Sequence, residues 1–326
     1  MKTEPPAQAL DPSEPVVYVN GEFVPQSQAR ISVLDHAVLY GDGVFETAFA
    51  WRGRVFKLDA HIERGFRSMA AIALRPPVDR AEMRRLILET VSRNRLRDAY
   101  VKWLITRGTN GKPLMDPTGC VPNLIILAQP YISRVSQERA AEGLRLKTVA
   151  LRRPPGQVLD PQIKSLNYLN LVLAKLEAKA AGADEALLLD LSGRICEATG
   201  CNVFTVHGAR LRTPRHDILA GITRETVLEL ASDVGLVAEQ CDIELYDAYT
   251  ADEVFICSTA GGLLPVVEID GRVIGSGNPG PVFHALRAAY EALISSPLHG
   301  TDIPPHEARG LRESSHRNDN GRGLRS

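Results

Sequence analysis

The chain has 326 residues, 44% hydrophobic and 24% charged, with a formal net charge of −1. Such a chain can bury a full core without disulfides or structural metal, and it lacks the basic field that draws a protein to nucleic acid. No apolar run approaches the roughly 18 residues of a membrane helix, the opening MKTEPPAQALDPSEP has no apolar centre of a secretory leader, and five cysteines without a Cys-x-x-Cys pair argue against a disulfide framework or zinc and for reduced thiols in the cytoplasm.

Residues 1–15 read as a loose, Pro-rich arm. Val-Tyr-Val, Asn20-Gly21 and Glu-Phe-Val predict a hairpin, because both centres of a type I′ turn need φ > 0. GVFETAFAW, Arg52-Gly53 and RVFKL predict a second. Asp59 is the expected N-cap of an amphipathic helix through HIERGFRSMAAIA, and RAEMRRLILETVSRN reads as another helix. The strands AYVKWLITRG and NLIILAQPYI enclose a Gly/Pro-rich loop, TNGKPLMDPTGCVP, long enough to be functional. These elements make a small α+β N-terminal domain over residues 16–132, followed by a polar interdomain linker over 133–142. A larger domain over 143–296 then carries the strand LRLKTVALRR, the helix LNYLNLVLAKLEAKAAG and a meander from EALLLDLSG to ARLRTP. It closes with the helix TRETVLELASDVG, the segments DEVFICSTAGG and LLPVVEIDG, and a last helix, PGPVFHALRAAYEALI. Residues 297–326, almost without apolar side chains, are expected to be a disordered tail. Strands dominate with helices inserted, which fits an α+β protein with a barrel-like second domain better than a doubly wound parallel sheet.

Of 38 basic residues only eight are lysines, so chemistry that needs a lysine amine has few candidates. Lys164, in DPQIKSLNYLN, sits at a loop edge between Ile163 and Leu166. Desolvation there would lower its pKa and make it a Schiff-base former, although an ordinary surface lysine before a helix fits the same residues. Glu197, in GRICEATGCNVF, is a carboxylate beside small residues at the end of a turn. Leu219-Ala220-Gly221-Ile222-Thr223-Arg224 leads into a helix whose N-terminus is an anion site by geometry, or one simply capped by Thr223. Cys257-Ser258-Thr259-Ala260-Gly261-Gly262 follows a strand and offers hydroxyls and close-approach glycines for a second edge of a phosphate. Arg64, in HIERG, is one helix arginine among many.

Arg64, Lys164, Glu197, Gly-Ile-Thr and Ser-Thr-Ala, in that order, resemble the class IV aminotransferases, whose architecture is called fold type IV. That family includes branched-chain and D-amino acid aminotransferases, aminodeoxychorismate lyase and (R)-selective amine transaminases. The resemblance covers roughly residues 16–296 and rests on LYGDGVFET, RVFKLDAHIER, KSLNYLN, the Glu197–Phe204 stretch, ILAGITRETV and DEVFICSTAGG with the PV after it. It implies pyridoxal 5'-phosphate held covalently by Lys164, which would also move the proton between the substrate Cα and the cofactor. Glu197 would face the pyridine nitrogen, Tyr168 the phenolic oxygen, and Leu219 the underside of the ring. Arg64, Gly221, Ile222, Thr223, Ser258 and Thr259 would surround the phosphate, with Asn202 lending support from behind. No metal, nucleic acid or membrane is implied. The reaction would be a ping-pong transfer between an amino donor and a 2-oxo acid acceptor, carried out by a homodimer.

Tyr40, Phe45, Tyr100, Lys102, Arg107, Lys112, Ala260 and Gly261 are the candidate substrate contacts. Tyr100-Val101-Lys102 stands where branched-chain enzymes tend to show Tyr-x-Arg, so a point charge remains while the bidentate grip is lost. Arg107 and Lys112 are candidates for a switchable carboxylate contact on the loop. TRGTN resembles the D-amino acid enzymes, but their Arg-x-His trap is not matched by Gly111-Lys112-Pro113-Leu114. Ala260-Gly261-Gly262 is closer to the (R)-amine transaminases than to the Ala-Ala-Glu of branched-chain enzymes. The expected activity is a branched-chain-like or D-amino-acid-like transaminase with some turnover of (R)-amines; the alternative is a lyase of the aminodeoxychorismate lyase type.

Overall fold

Two tight turns set the first sheet. Asn20 and Gly21 have φ of 49° and 106°, and Arg52 and Gly53 have φ of 50° and 83°, the left-handed pair that a two-residue hairpin needs. In the computed structural model, which describes residues 14–131, 133 and 135–306, they join β1 (Val16–Val19) to β2 (Glu22–Pro25) and, beyond α1 (His36–Tyr40), β3 (Gly43–Trp51) to β4 (Arg54–Phe56). Next come α2 (Leu58–Ala71), α3 (Arg80–Arg93) and the long hairpin of β5 (Ala99–Thr109) with β6 (Val121–Pro130). The apolar faces of α2 and α3 close over this sheet, around the fully buried Trp103, Leu86 and Ile87.

The C-terminal half runs α4 (Gln137–Glu142), β7 (Leu144–Arg152), α5 (Gly156–Leu159), α6 (Leu169–Ala180), β8 (Glu185–Leu189), β9 (Ile195–Ala198), β10 (Cys201–His207) and β11 (Arg210–Pro214). It continues with α7 (Ile222–Leu230), β12 (Val237–Cys241), α8 (Leu245–Tyr249), β13 (Glu253–Ser258), β14 (Gly262–Ile269), β15 (Arg272–Val273) and α9 (Pro281–Ser295). The sheet order β10-β13-β14-β7-β8-β9, with β9 pairing back onto β10, closes six strands into a barrel. Alternation along the strands sorts their side chains. Leu146, Leu187, Ile195, Val203, Ile256 and Leu264, one from each barrel strand, share the interior cluster. Phe204 and Phe255 point the other way, to α7 and α9.

Three details depart from the sequence expectations. Asp59 is not the cap of α2: Lys57, at φ 42°, precedes the helix, and Asp59 lies in its first turn, where a negative charge suits the N-terminal dipole. The helix expected from Leu166 starts at Leu169, because Ser165 bridges to Val44 and the chain there is spent on β3. The tail expected from residue 297 does not leave the fold at once. Gly300–Asp302 forms a last strand, β16, antiparallel to β4, and Ile303 packs on the N-terminal core. The expected arm and tail otherwise lie outside the described residues, at 1–13 and 307–326. Replacing Ile303 by Ala should therefore lower the urea midpoint, at a cost on the order of 1–2 kcal/mol for a half-buried side chain; an unchanged midpoint would show that the β16 segment adds nothing to the core.

Candidate active site

Lys164 is held by backbone rather than by its own side chain. Its carbonyl accepts from the Phe45 amide at 2.9 Å, its amide donates to Ser68 Oγ at 3.1 Å, and the Leu166 amide donates to the Gly43 carbonyl at 2.9 Å. The loop between α5 and α6 is thus laid against the start of β3, across the seam between the two sheets. The amine projects into a cavity of about 470 Å³, with Nζ 4.3 Å from the centre of the Phe45 ring. Desolvation there brings its pKa from 10.5 down to about 8, against an opposing pull from Glu46 and with help from Arg64.

Glu46 and Glu197, two buried carboxylates beside this amine, are both committed to arginines. Glu46 on β3 takes Arg64 Nε at 2.6 Å and Nη2 at 2.9 Å, with His61 Nδ1 at 3.1 Å. Burial alone would raise its pKa, but the Arg64 charge and hydrogen bonds hold it well below the usual carboxylate range. Arg64 Nη1 also donates to the Ala220 carbonyl at 3.0 Å, which ties α2 to the segment before α7. Glu197 on β9 accepts from the Leu219 amide at 3.0 Å and lies 2.8 Å from Arg153 Nε. Asn202 braces the same segment by donating to the Leu219 carbonyl at 3.0 Å.

The helix α7 begins at Gly221 without any side-chain cap, so its first amides face the cavity, next to the buried Thr223. Gly221 is required by space: a Cβ there would meet Asn202 Oδ1 at 2.0 Å. Across from it, Ser258 Oγ accepts from the Gly261 amide at 3.1 Å and shapes the turn after β13.

One cavity gathers every expected cofactor contact: Arg64, Lys164, Tyr168, Glu197, Leu219, Gly221, Ile222, Thr223, Ser258 and Thr259. It also takes in Phe45, Tyr100, Lys102 and Ala260 of the expected substrate contacts. Four others are not in its wall. Tyr40 stands on α1 with its ring edge on His36, and Gly261 sits behind the turn. Lys112 is exposed on the loop between β5 and β6. Arg107, expected to reach a substrate carboxylate, is spent on a strut: it pairs with Asp42 at 2.8 Å and donates to the carbonyls of Ile72 and Ala73. A bulge in β5 at Gly108, where a Cβ would lie 1.6 Å from the Val121 carbonyl, accompanies that turn. Sequence reading missed Glu46, although it stands inside the quoted VFET, and Arg153, whose only signal is its place between a strand and Pro154-Pro155.

The wall has the chemistry that pyridoxal phosphate needs. A desolvated amine would suit its aldehyde, uncapped helix amides and an arginine would suit its phosphate, and a carboxylate would suit its ring nitrogen. Arg153 Nε, buried with its N–H aimed off Glu197, adds a charge on that side. Among the described residues no cluster of His, Cys, Asp or Glu could hold a metal ion.

Comparison with known proteins agrees. The family model described as amino-transferase class IV matches residues 43–269. A protein of Methanocaldococcus jannaschii, provisionally named a branched-chain-amino-acid aminotransferase, is 44% identical over 280 residues, 85% of this chain and 96% of its own length. The branched-chain-amino-acid aminotransferase of Pseudomonas aeruginosa is 34% identical, over 86% of this chain and 93% of its own. The crystal structure of the T.th. branched-chain amino acid aminotransferase with pyridoxamine 5'-phosphate superposes with a TM-score of 0.86 at 34% identity, covering 90% of this chain and 99% of that one. The chain belongs to the class IV aminotransferases. It is a pyridoxal-phosphate-dependent aminotransferase that resembles the branched-chain members.

The depressed amine can be read directly. Competitive acylation of cofactor-free protein, followed by mass spectrometry, should show Lys164 labelling rise with pH to a midpoint near 8, since only the neutral amine reacts. A midpoint at 10.5, the ordinary lysine value, would contradict the site electrostatics.

Proposed function

We propose that this enzyme moves the amino group between branched-chain amino acids and a 2-oxo acid, with Lys164 as the amine that binds the cofactor and carries the proton. The observation that carries this reading is the placement of the Lys164 amine in one cavity with Glu197 on one side and the open N-terminus of α7 on the other. Pyridoxal phosphate supplies an aldehyde and an electron-withdrawing ring that stabilises charge at the substrate Cα. The chain does the rest. Arg64, the first amides of α7, Thr223, Ser258 and Thr259 grip the phosphate. Glu197 holds the proton at the ring nitrogen. Tyr168, whose hydroxyl is pushed up to about 12 mainly by burial, stays protonated and donates to the ring oxygen. Leu219 packs under the ring, and the neutral fraction of Lys164 takes and returns the Cα proton.

Lys102 sets the substrate class. Its Nζ lies 4.5 Å from the centre of the Phe45 ring, and among the described residues no carboxylate pairs with it. A cation without an acid of its own accepts an acidic group on one substrate, while Phe45, Tyr100 and the neighbouring aliphatic surface accept a branched side chain on the other. Ala260-Gly261-Gly262 supports (R)-amines as a second donor class, because small residues there leave room beside the cofactor.

A homodimer is part of the proposal. Leu169, Val172, Leu173 and Leu176 form an apolar stripe on α6, exposed by 71, 52, 45 and 57%, which suits burial by a second copy. No helix among the described residues is long and apolar enough to cross a membrane. Five cysteines without a Cys-x-x-Cys pair suit a reducing cytoplasm, where the proposal places the enzyme.

A donor panel of L-leucine, L-valine, D-alanine and (R)-1-phenylethylamine, against pyruvate and 2-oxoglutarate, tests the substrate assignment. L-leucine or L-valine with 2-oxoglutarate should give the highest kcat/KM. Preference for D-alanine would move the enzyme to the D-amino acid branch, and pyruvate release without an acceptor would move it to the lyases. Lys164→Ala should lower turnover by about 10²–10⁴-fold or more and abolish the pyridoxyl adduct seen after borohydride reduction.

A further inference from the structure

We propose that Arg153 is a positioning residue that keeps Glu197 ionised and aimed into the cavity, and so decides where the proton shared between Glu197 and the cofactor ring nitrogen resides. The proposal rests on the placement of Glu197 against that nitrogen and goes beyond it, because it assigns the control of that proton to a residue outside the family motifs quoted above.

The observations are geometric. Arg153 Nε lies 2.8 Å from Glu197 Oε1, with the two side chains only 11% and 4% exposed. Oε2 of Glu197 is already used by the Leu219 amide at 3.0 Å, with Asn202 Nδ2 at 3.5 Å. Arg153 is rigidly placed. It follows the last residue of β7, its amide donates to the Leu189 carbonyl at 2.8 Å, and Pro154 and Pro155 fix the chain beyond it. Its N–H points off the carboxylate axis, so the pairing acts through charge more than through an aligned hydrogen bond.

Among the described residues no other group supplies that charge steadily. The Lys164 amine also faces Glu197, but it is the reacting amine and its charge changes during turnover. Arg224 on α7 is tied to Thr213, the Pro214 carbonyl and Gln240. The Tyr168 and Cys196 side chains that flank Glu197 carry no positive charge. Burial raises the Glu197 pKa above the ordinary carboxylate value, and the Arg153 guanidinium, which never deprotonates, limits that rise throughout the cycle. With Glu197 ionised, the shared proton sits on the ring nitrogen. Once Arg153 is removed, the same proton moves to the carboxyl and the ring nitrogen is left bare. Proton count is unchanged; only its location differs.

The test uses holoenzyme carrying cofactor labelled with ¹⁵N in the ring, plus the same proteins freed of cofactor. In the wild type the ring nitrogen should resonate in the pyridinium range. Arg153→Met should move it to the free-pyridine range, Arg153→Lys should return it, and kcat of Arg153→Met should fall by about tenfold or more with KM for the donor little changed. Freed of cofactor, Arg153→Met should show an infrared protonated-carboxyl band that is absent from the wild type and from Arg153→Met/Glu197→Gln. If Arg153→Met does not fold, Arg153→Gln, which keeps a polar partner for Glu197, carries the same readouts. A pyridinium signal retained in Arg153→Met or Arg153→Gln, while Glu197→Gln loses it, overturns the role of Arg153 alone. A pyridinium signal retained in Glu197→Gln overturns the placement of Glu197, and with it this proposal.

Discussion

The amine of Lys164 keeps a lowered pKa because both nearby carboxylates are paired with arginines instead. Two acids, Glu46 and Glu197, lie close enough to act on it, and a free carboxylate beside a buried lysine would form an ion pair and hold the amine charged. Each acid instead faces an arginine, Arg64 on one side and Arg153 on the other. A guanidinium outlasts any working pH as a cation, so both acids are held by groups that do not titrate. At Lys164 desolvation therefore outweighs the remaining pull of Glu46 and Glu197, and its pKa falls.

That arrangement needs contributions from both sheets, which explains why the cavity lies at their seam. Glu46 comes from β3 and Arg64 from α2, while Glu197 comes from β9 and Arg153 from the end of β7. Lys164 is fixed to β3 by main-chain hydrogen bonds although it is covalently part of the other half. Arg64 crosses the seam again to the Ala220 carbonyl. Each acid–arginine pair lies within one half, and it is the main-chain bonds of Lys164 and the Arg64 bond to Ala220 that cross the seam. The geometry that tunes the amine therefore also locks the two sheets together.

Local chemistry was legible in the sequence wherever one short stretch decides the outcome. Asn20-Gly21 and Arg52-Gly53 are hairpins because few other pairs tolerate two positive φ angles in succession. Lys164 stood out because so few lysines compete with it, and ILAGIT because a glycine leads into a helix. Pairings between distant segments were not legible. β7 lies parallel to both β14 and β8, and nothing in LRLKTVALRR names those partners. β16 has no apolar run to announce it, since it adds only an edge of backbone to β4. Arg153 is one arginine in a chain full of them, and its meaning comes from a carboxylate forty-four positions later. Arg107 failed in the opposite sense. Its loop suggested a substrate contact, but a bulge in β5 accompanies its turn into a brace for the end of α2.

The same logic separates Lys102 from the paired cations of the wall. Arg64 and Arg153 are neutralised by acids of the chain, and Lys175, at the rim, by Glu185. Lys102 has the Phe45 ring below it and no acid of its own among the described residues, and burial lowers its pKa. A cation in that position is costly unless something anionic arrives to meet it. The cost is smaller for a lysine than for an arginine, because a lysine can shed its proton when the incoming side chain is apolar. On the proposed pairing of an acidic and an apolar substrate, such a wall is better served by a charge that can be withdrawn than by one that cannot.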